Sequence, residues 1–306
     1  MSLLRNVSCV GVGLLLVVAG VRGADQSPAW DQFWSGSARS EFRVDYGPWA
    51  VWVANFSRPE GDRRPLAYSL VRDNGLPFLT RYMNYLADQA VAKLDRDAQL
   101  AYWLNVRNLL VVQAIAELES GADLAQHRGT AAVPGPAWTR PRFVIGEVAL
   151  SIDDIERKIL LPGWPDPRII PGLYQGSESG PAFPAEAFRA ATAYQQLATA
   201  GVTFVNSAAG VRVSWGKARV SPLFGWYREA LFNGQDDEVK AHLMTLMNEA
   251  LANKFAKARR YEVEAFSSQV ESFQPRRLHR AASDRGLEPG PQPATASPDD
   301  FVGRGS

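Results

Sequence analysis

Leu100-Ala101-Tyr102-Trp103-Leu104-Asn105-Val106-Arg107-Asn108-Leu109-Leu110-Val111-Val112 decides how the rest of this chain must fold. The run is apolar nearly all the way round a 3.6-residue repeat, the pattern of a helix enclosed by other elements. Asp97 is a good N-cap before it and Ser120-Gly121 a good stop after it, so a helix is expected between them. Such a helix needs neighbours on every side, and the flanking sequence offers mostly helical ones. Leu66 to Leu94 reads as helix with a break at Gly75-Leu76-Pro77. A Pro- and Gly-rich loop runs from Gly129 to Pro141. Arg142 to Leu150 alternates around Gly146 as a small hairpin, and Thr203 to Val213, turning at Ala209-Gly210, reads as another. Pro222 to Phe232, with proline just inside its start after Ser221, and Asp237 to Phe255 return to helix. The expectation is an α+β fold, a mainly helical single domain with a few short antiparallel strands.

The chain has 306 residues, with 33 basic and 32 acidic side chains and 46% hydrophobic residues. That composition fits a folded domain with a sizeable core, and the charge balance lacks the basic excess expected of a nucleic-acid binder. One cysteine, Cys9, cannot form a disulfide within the chain. The first 23 residues read as a signal peptide: Arg5 precedes an apolar run to Val21, and Val21 and Gly23 occupy the positions before cleavage at Ala24. The expected address is periplasmic or secreted, with no stable membrane span after cleavage and no thiol left; an uncleaved N-terminal membrane anchor is the alternative. Residues 30–273 form the expected domain. Residues 275–306, with Pro275, Pro289, Pro291, Pro293 and Pro298, read as a disordered tail.

Few side chains suggest chemistry. Ser151 and Asp154 make a capping box for a helix on which Glu156 falls within the arc of Ile152, Ile155 and Ile159. A carboxylate facing the core must be paired, hydrogen-bonded or protonated, and Arg107 and Arg168 are the candidate partners. Asn105 and Asn108, three residues apart on the most apolar helix, are buried amides that hold loop backbone or line a pocket. Tyr174-Gln175-Gly176-Ser177-Glu178-Ser179-Gly180 looks like a nucleophile elbow, but Glu178 occupies the central position where a serine is needed. It reads as a turn-rich loop. His127, His242 and His279 have no metal-ligand spacing, so neither metal nor cofactor is expected. Trp103 and Trp226 fit core positions better than a sugar-stacking platform.

Several segments together resemble one family. Ala101 to Leu110 resembles the Phe-Trp-Ile-Asn-Ala-Tyr-Asn-Ala-Leu block of the domain-of-unknown-function 547 family. Leu150 to Glu156 resembles its Leu-Ser-Leu-Asp-Asp-Ile-Glu-His block, Asp166-Pro167-Arg168-Ile169 its Asp-Pro-Arg-Ile-His lead-in, and Val220 to Tyr227 its later Leu-Ser-x-Ile-Phe-x-Trp-Tyr block. Asn105, Asn108, Glu156, Arg168 and Trp226 keep the frame. The departures fall on the reactive groups. Ile170 stands at the His position after the lead-in, Tyr174 at an Asn position, Gln175 and Gly180 at two Cys positions, and Arg107 at a Tyr position. A Cys–His–carboxylate set would suit the nucleophilic chemistry of transglutaminase- or papain-like α+β enzymes, the alternative fold reading, and a mature chain without a thiol cannot run it. The resemblance therefore implies a non-catalytic binding or accessory protein of the cell envelope, with an envelope protein or ligand as partner. The alternative is a hydrolase or transferase pairing Glu156 with the hydroxyl of Ser177 or Ser179. The candidate pocket is Asn105, Asn108, Glu156, Arg168, Tyr174, Gln175, Ser177 and Ser179.

Overall fold

The computed structural model describes residues 29–274 apart from 41 and 131; the expected signal and tail lie outside the described residues. The central helix runs Arg96–Ala116, and 17 of its 21 residues are buried, so it is the axis of the core. Its cap is Asp95, not Asp97: the Asp95 carboxylate accepts from Ala98 N–H at 2.9 Å and from the Ser40 hydroxyl at 2.7 Å. Asp97 sits within the first turn, where its charge suits the positive end of the helix dipole. The far end stops at Ala116, short of Ser120. The Arg72 guanidinium donates to the carbonyls of Ala116 and Leu118 at 3.0 and 2.7 Å and so satisfies two of the groups left over there.

The helices before it are continuous where a break was expected. Tyr68–Leu70 passes through a wide π turn, Val71–Gly75, into Leu76–Ala87. The proline falls at the start of that last helix, where a missing N–H costs least. Gly75 serves packing: a Cβ there would lie 3.1 Å from the rings of Phe56 and Trp52.

The first hairpin forms as expected, β1 (Phe143–Ile145) against β2 (Val148–Leu150), with Gly146 at φ +58° in the turn. The second is displaced. Ala193–Val205 is a helix burying Leu197, Gly201, Phe204 and Val205, so Thr203 to Val205 is its last turn rather than a strand. The strands are β3 (Val211–Ser214) and β4 (Lys217–Val220), turning at Trp215-Gly216. Thr-Phe-Val suits a strand locally, and the helical spacing of the preceding apolar residues overrides it. β5 (Arg260–Val263) adds to β4 in parallel. The result is α+β and mainly helical, with one two-stranded and one three-stranded sheet among the described residues.

After β5 the chain returns across the core as an irregular strap. Ser268 accepts from Leu124 N–H at 3.1 Å, Glu271 donates to Gly176 at 2.8 Å, and Phe273 donates to Leu66 at 3.2 Å. This strap covers the loop that carries Gln175 to Ser179.

Candidate functional site

The expected capping box is formed: Asp154 N–H donates to Ser151 Oγ at 3.1 Å and Ser151 N–H to Asp154 Oδ2 at 3.0 Å. The helix then widens into a π turn over Ile155–Leu160. Glu156 sits in this turn, 4% exposed, against the central helix. Its Oε1 accepts from Arg107 Nε at 2.9 Å and also from Arg107 Nη2. Its Oε2 accepts from the Tyr227 hydroxyl at 2.9 Å and lies 3.9 Å from Arg128 Nη2. Arg107, wholly buried, also donates to Asn108 Oδ1 at 3.0 Å and to the Tyr174 carbonyl.

Arg128 is a second buried cation. Its Nε donates to Gln175 Oε1 at 3.1 Å, and its guanidinium lies 3.9 Å from the centre of the Trp226 ring and 5.4 Å from that of Trp138. Its Nη2 has no hydrogen-bond partner. Burial alone would push the Glu156 carboxyl up, but the charges of Arg107 and Arg128 outweigh it and hold the group below its ordinary value. Burial lowers Arg128 and raises the Tyr227 phenol. At neutral pH the cluster is therefore one carboxylate, two guanidinium ions and a neutral phenol.

The remaining candidates surround this cluster without forming a reactive set. Asn105 clamps the Phe188 backbone, with both bonds at 2.9 Å. Asn108 donates to the Gly172 carbonyl at 2.8 Å and accepts from Tyr174 N–H at 3.1 Å. Both amides thus hold loop backbone, the first of the two readings open from sequence. The Tyr174 hydroxyl meets that of Tyr68 at 3.2 Å, and Gln175 Nε2 donates to the Leu173 carbonyl at 3.0 Å. The Ser177 hydroxyl donates to the Ser267 carbonyl and meets Ser179 Oγ, each at 3.0 Å; Ser179 Oγ accepts from Ser267 N–H at 2.9 Å. These two hydroxyls tie the loop to the strap, and neither touches Glu156.

Arg168 is not part of the cluster. It is half exposed, paired with Asp166, and stacked over Tyr194 at 5.0 Å. Of the two cations considered as partners for Glu156, Arg107 takes the role and Arg168 does not. Two members escaped sequence reasoning. Arg128 ends a five-residue helix, Leu124–Arg128, capped by Asp123, and looks like a surface residue. Tyr227 was visible only as the residue after Trp226 in the last family-like block.

Every oxygen of Glu156 faces a cation or a hydroxyl donor, and no thiol or imidazole contacts it. A cleft of about 690 Å³ is lined by Ser179, Glu178 and Glu271, and a neighbouring one of about 580 Å³ by Phe183, Phe188 and Phe204; Glu156 lines neither. Among the described residues no group of three His, Cys, Asp or Glu side chains could hold a metal ion.

No curated protein and no solved structure matches the chain. Residues 91–205, which contain the central helix, the capping box, Glu156 and the Tyr174–Ser179 loop, match the model of the family described as protein of unknown function, DUF547.

Proposed function

We propose that this chain is a non-catalytic binding or accessory protein of the cell envelope, exported to the periplasm or beyond, in which the family's central carboxylate has become a structural ion centre. The observation that carries this reading is the saturation of Glu156. A general base needs a free lone pair, and a general acid a transferable proton, within reach of the substrate. Glu156 is 4% exposed and gives its oxygens to Arg107, Tyr227 and Arg128. A nucleophile needs a base within hydrogen-bond distance, and the Ser177 and Ser179 hydroxyls bond to each other and to the strap instead. Both contacts favour a scaffold over a hydrolase or transferase.

The test is turnover of a panel of nitrophenyl esters and γ-glutamyl amides by the purified protein and its Glu156→Gln variant. The expected result is background rate for both. Turnover by the parent that the variant loses would overturn the reading and restore a hydrolase or transferase. Cross-linked pull-down from the native envelope then identifies the partner, expected to be an envelope protein or its ligand.

A further inference from the structure

Among the described residues Trp215 is the most exposed of the large hydrophobic side chains. It is 102% exposed at the tip of the β3–β4 hairpin, with φ +53°. Gly216 follows at φ +69°, so the two central residues of the turn are both left-handed. Turns of this kind favour Asn-Gly or Gly-Gly, because a bulky side chain in the left-handed region meets its own backbone. Among the described residues Trp215 makes no ring or cation contact. The chain thus carries local strain to hold an indole in water, away from the core that takes Trp49, Trp52, Trp103 and Trp138.

The surroundings of the tip are basic. The turn after the Glu249–Ala256 helix passes directly beneath it: Arg259 N–H donates to the Gly216 carbonyl at 2.7 Å, and Arg260 sits opposite Lys217 in the sheet. Lys257, Arg259 and Arg260 are exposed, and none forms an ion pair among the described residues. Glu262, two residues beyond Arg260 on β5, is engaged by Lys217 at 2.8 Å. Arg212 is paired with Glu264 farther along β3. Trp215 stands at a hairpin tip and lines neither of the two clefts described above. A sugar-stacking site would need a wall of hydrogen-bonding groups beside the ring. A projecting indole beside a turn that carries three unpaired cations fits a flat, negatively charged surface with an apolar layer just beneath.

We propose that the Trp215 tip and the Lys257–Arg260 turn form a peripheral contact for an anionic lipid bilayer. Tryptophan settles at the boundary between headgroups and acyl chains, and lysine and arginine draw the surface toward acidic lipids. Neither group spans the membrane, so the contact is reversible and salt-sensitive. It is independent of the Glu156 cluster, and its failure would leave the scaffold reading as it stands.

The experiment is co-sedimentation of the full chain with vesicles of about one part phosphatidylglycerol to two parts phosphatidylcholine, beside pure phosphatidylcholine. Two variants are compared with the parent: Trp215→Asn, and Lys257→Glu with Arg259→Glu. Whatever the N-terminal segment adds is common to all three. Asn tolerates the left-handed turn, so Trp215→Asn should unfold in urea no earlier than the parent. Each variant should nonetheless lose about fivefold or more in partition to the acidic vesicles. Parent binding should fall as NaCl rises from about 0.1 to about 0.5 M and be weak on neutral vesicles. Equal partition of parent and Trp215→Asn would overturn the proposal. So would Trp215-dependent sedimentation with purified cell-wall glycan in place of acidic vesicles, which would make the tip a sugar platform.

Discussion

Glu156→Gln isolates the buried ion centre with almost no change in volume. The substitution removes the negative charge between two cations, one of them wholly buried. Gln keeps one carbonyl oxygen, enough for Arg107 or the Tyr227 hydroxyl but not both, and its amide group meets donors where the parent offers an acceptor. Breaking a buried pair by deleting one partner costs about 3–5 kcal/mol; with one bond retained, roughly 2–4 kcal/mol is expected. For a domain of this size that is a fall in Tm of about 5–15 °C. Urea unfolding at pH 7 followed by circular dichroism reads it directly, with an unchanged denaturant slope showing that the compactness of the two states is the same.

A pH series adds a signature that loss of packing would lack. Glu156 lies below its ordinary value of 4.5 in the fold. A depressed carboxyl contributes fully above the unfolded value and loses its contribution as pH falls through the folded one. The gap between parent and variant should be widest near neutrality and close progressively below about pH 4.5. A variant within about 0.5 kcal/mol of the parent at pH 7, or a gap that does not narrow in acid, would refute the argument.

Gly176→Ala should cost at least about 2 kcal/mol in urea, since φ is +70° there and the added Cβ would lie 1.9 Å from Ile115 Cδ1. Ile115→Val, which removes that atom, should recover part of the loss when combined with it. Removing residues from Pro275 onward should leave Tm within about 3 °C, whereas removing Glu264 onward should lower it by more than about 5 °C; calorimetry of the two truncations separates tail from strap. The exported protein should begin near Ala24, and an intact mass that retains Met1 would contradict the signal reading.

Sequence reasoning reached the elements whose cause is local. The burial of the central helix follows from its apolar residues on every face, the capping box from Ser151 and Asp154, and the first hairpin from alternation around Gly146. It misplaced the second hairpin because Thr203-Phe204-Val205 has strand propensity, while the helix phase is set by residues up to ten positions earlier. At the site, the helical wheel placed Glu156 inward, and the spacing of Asn105 and Asn108 put both amides on one face, leaving open whether they hold loop backbone or line a pocket. The partners were harder. Arg107 was visible as a charge inside an apolar helix, but Arg168, equally basic, turned outward to Asp166 at the N-cap of its own 3-10 helix. Arg128 left no local trace, because what draws it inward is aromatic surface distant in sequence.

That aromatic surface accounts for the charge balance of the core. Two guanidinium ions against one carboxylate leave an excess positive charge, which a buried site does not carry without compensation. Arg107 receives the carboxylate; Arg128 approaches it only to 3.9 Å and rests on the face of Trp226. The Phe266 ring of the strap packs 5.1 Å from Trp226 and 6.0 Å from the same guanidinium, closing the cation away from water. Cation–π contact strengthens when desolvated, so the strap matters to the ion centre as well as to the loop beneath it. Gln175, standing where the resemblance puts a family cysteine, completes the set by accepting from Arg128. The departed positions Arg107 and Gln175 are thus joined through the retained Glu156 and through Arg128: Arg107 to Glu156, Glu156 to Arg128, Arg128 to Gln175 and to the strap. Returning Gln175 alone to cysteine would leave Arg128 Nε without its acceptor and would place a thiol beside a cation with no imidazole to take its proton, since Ile170 occupies that position.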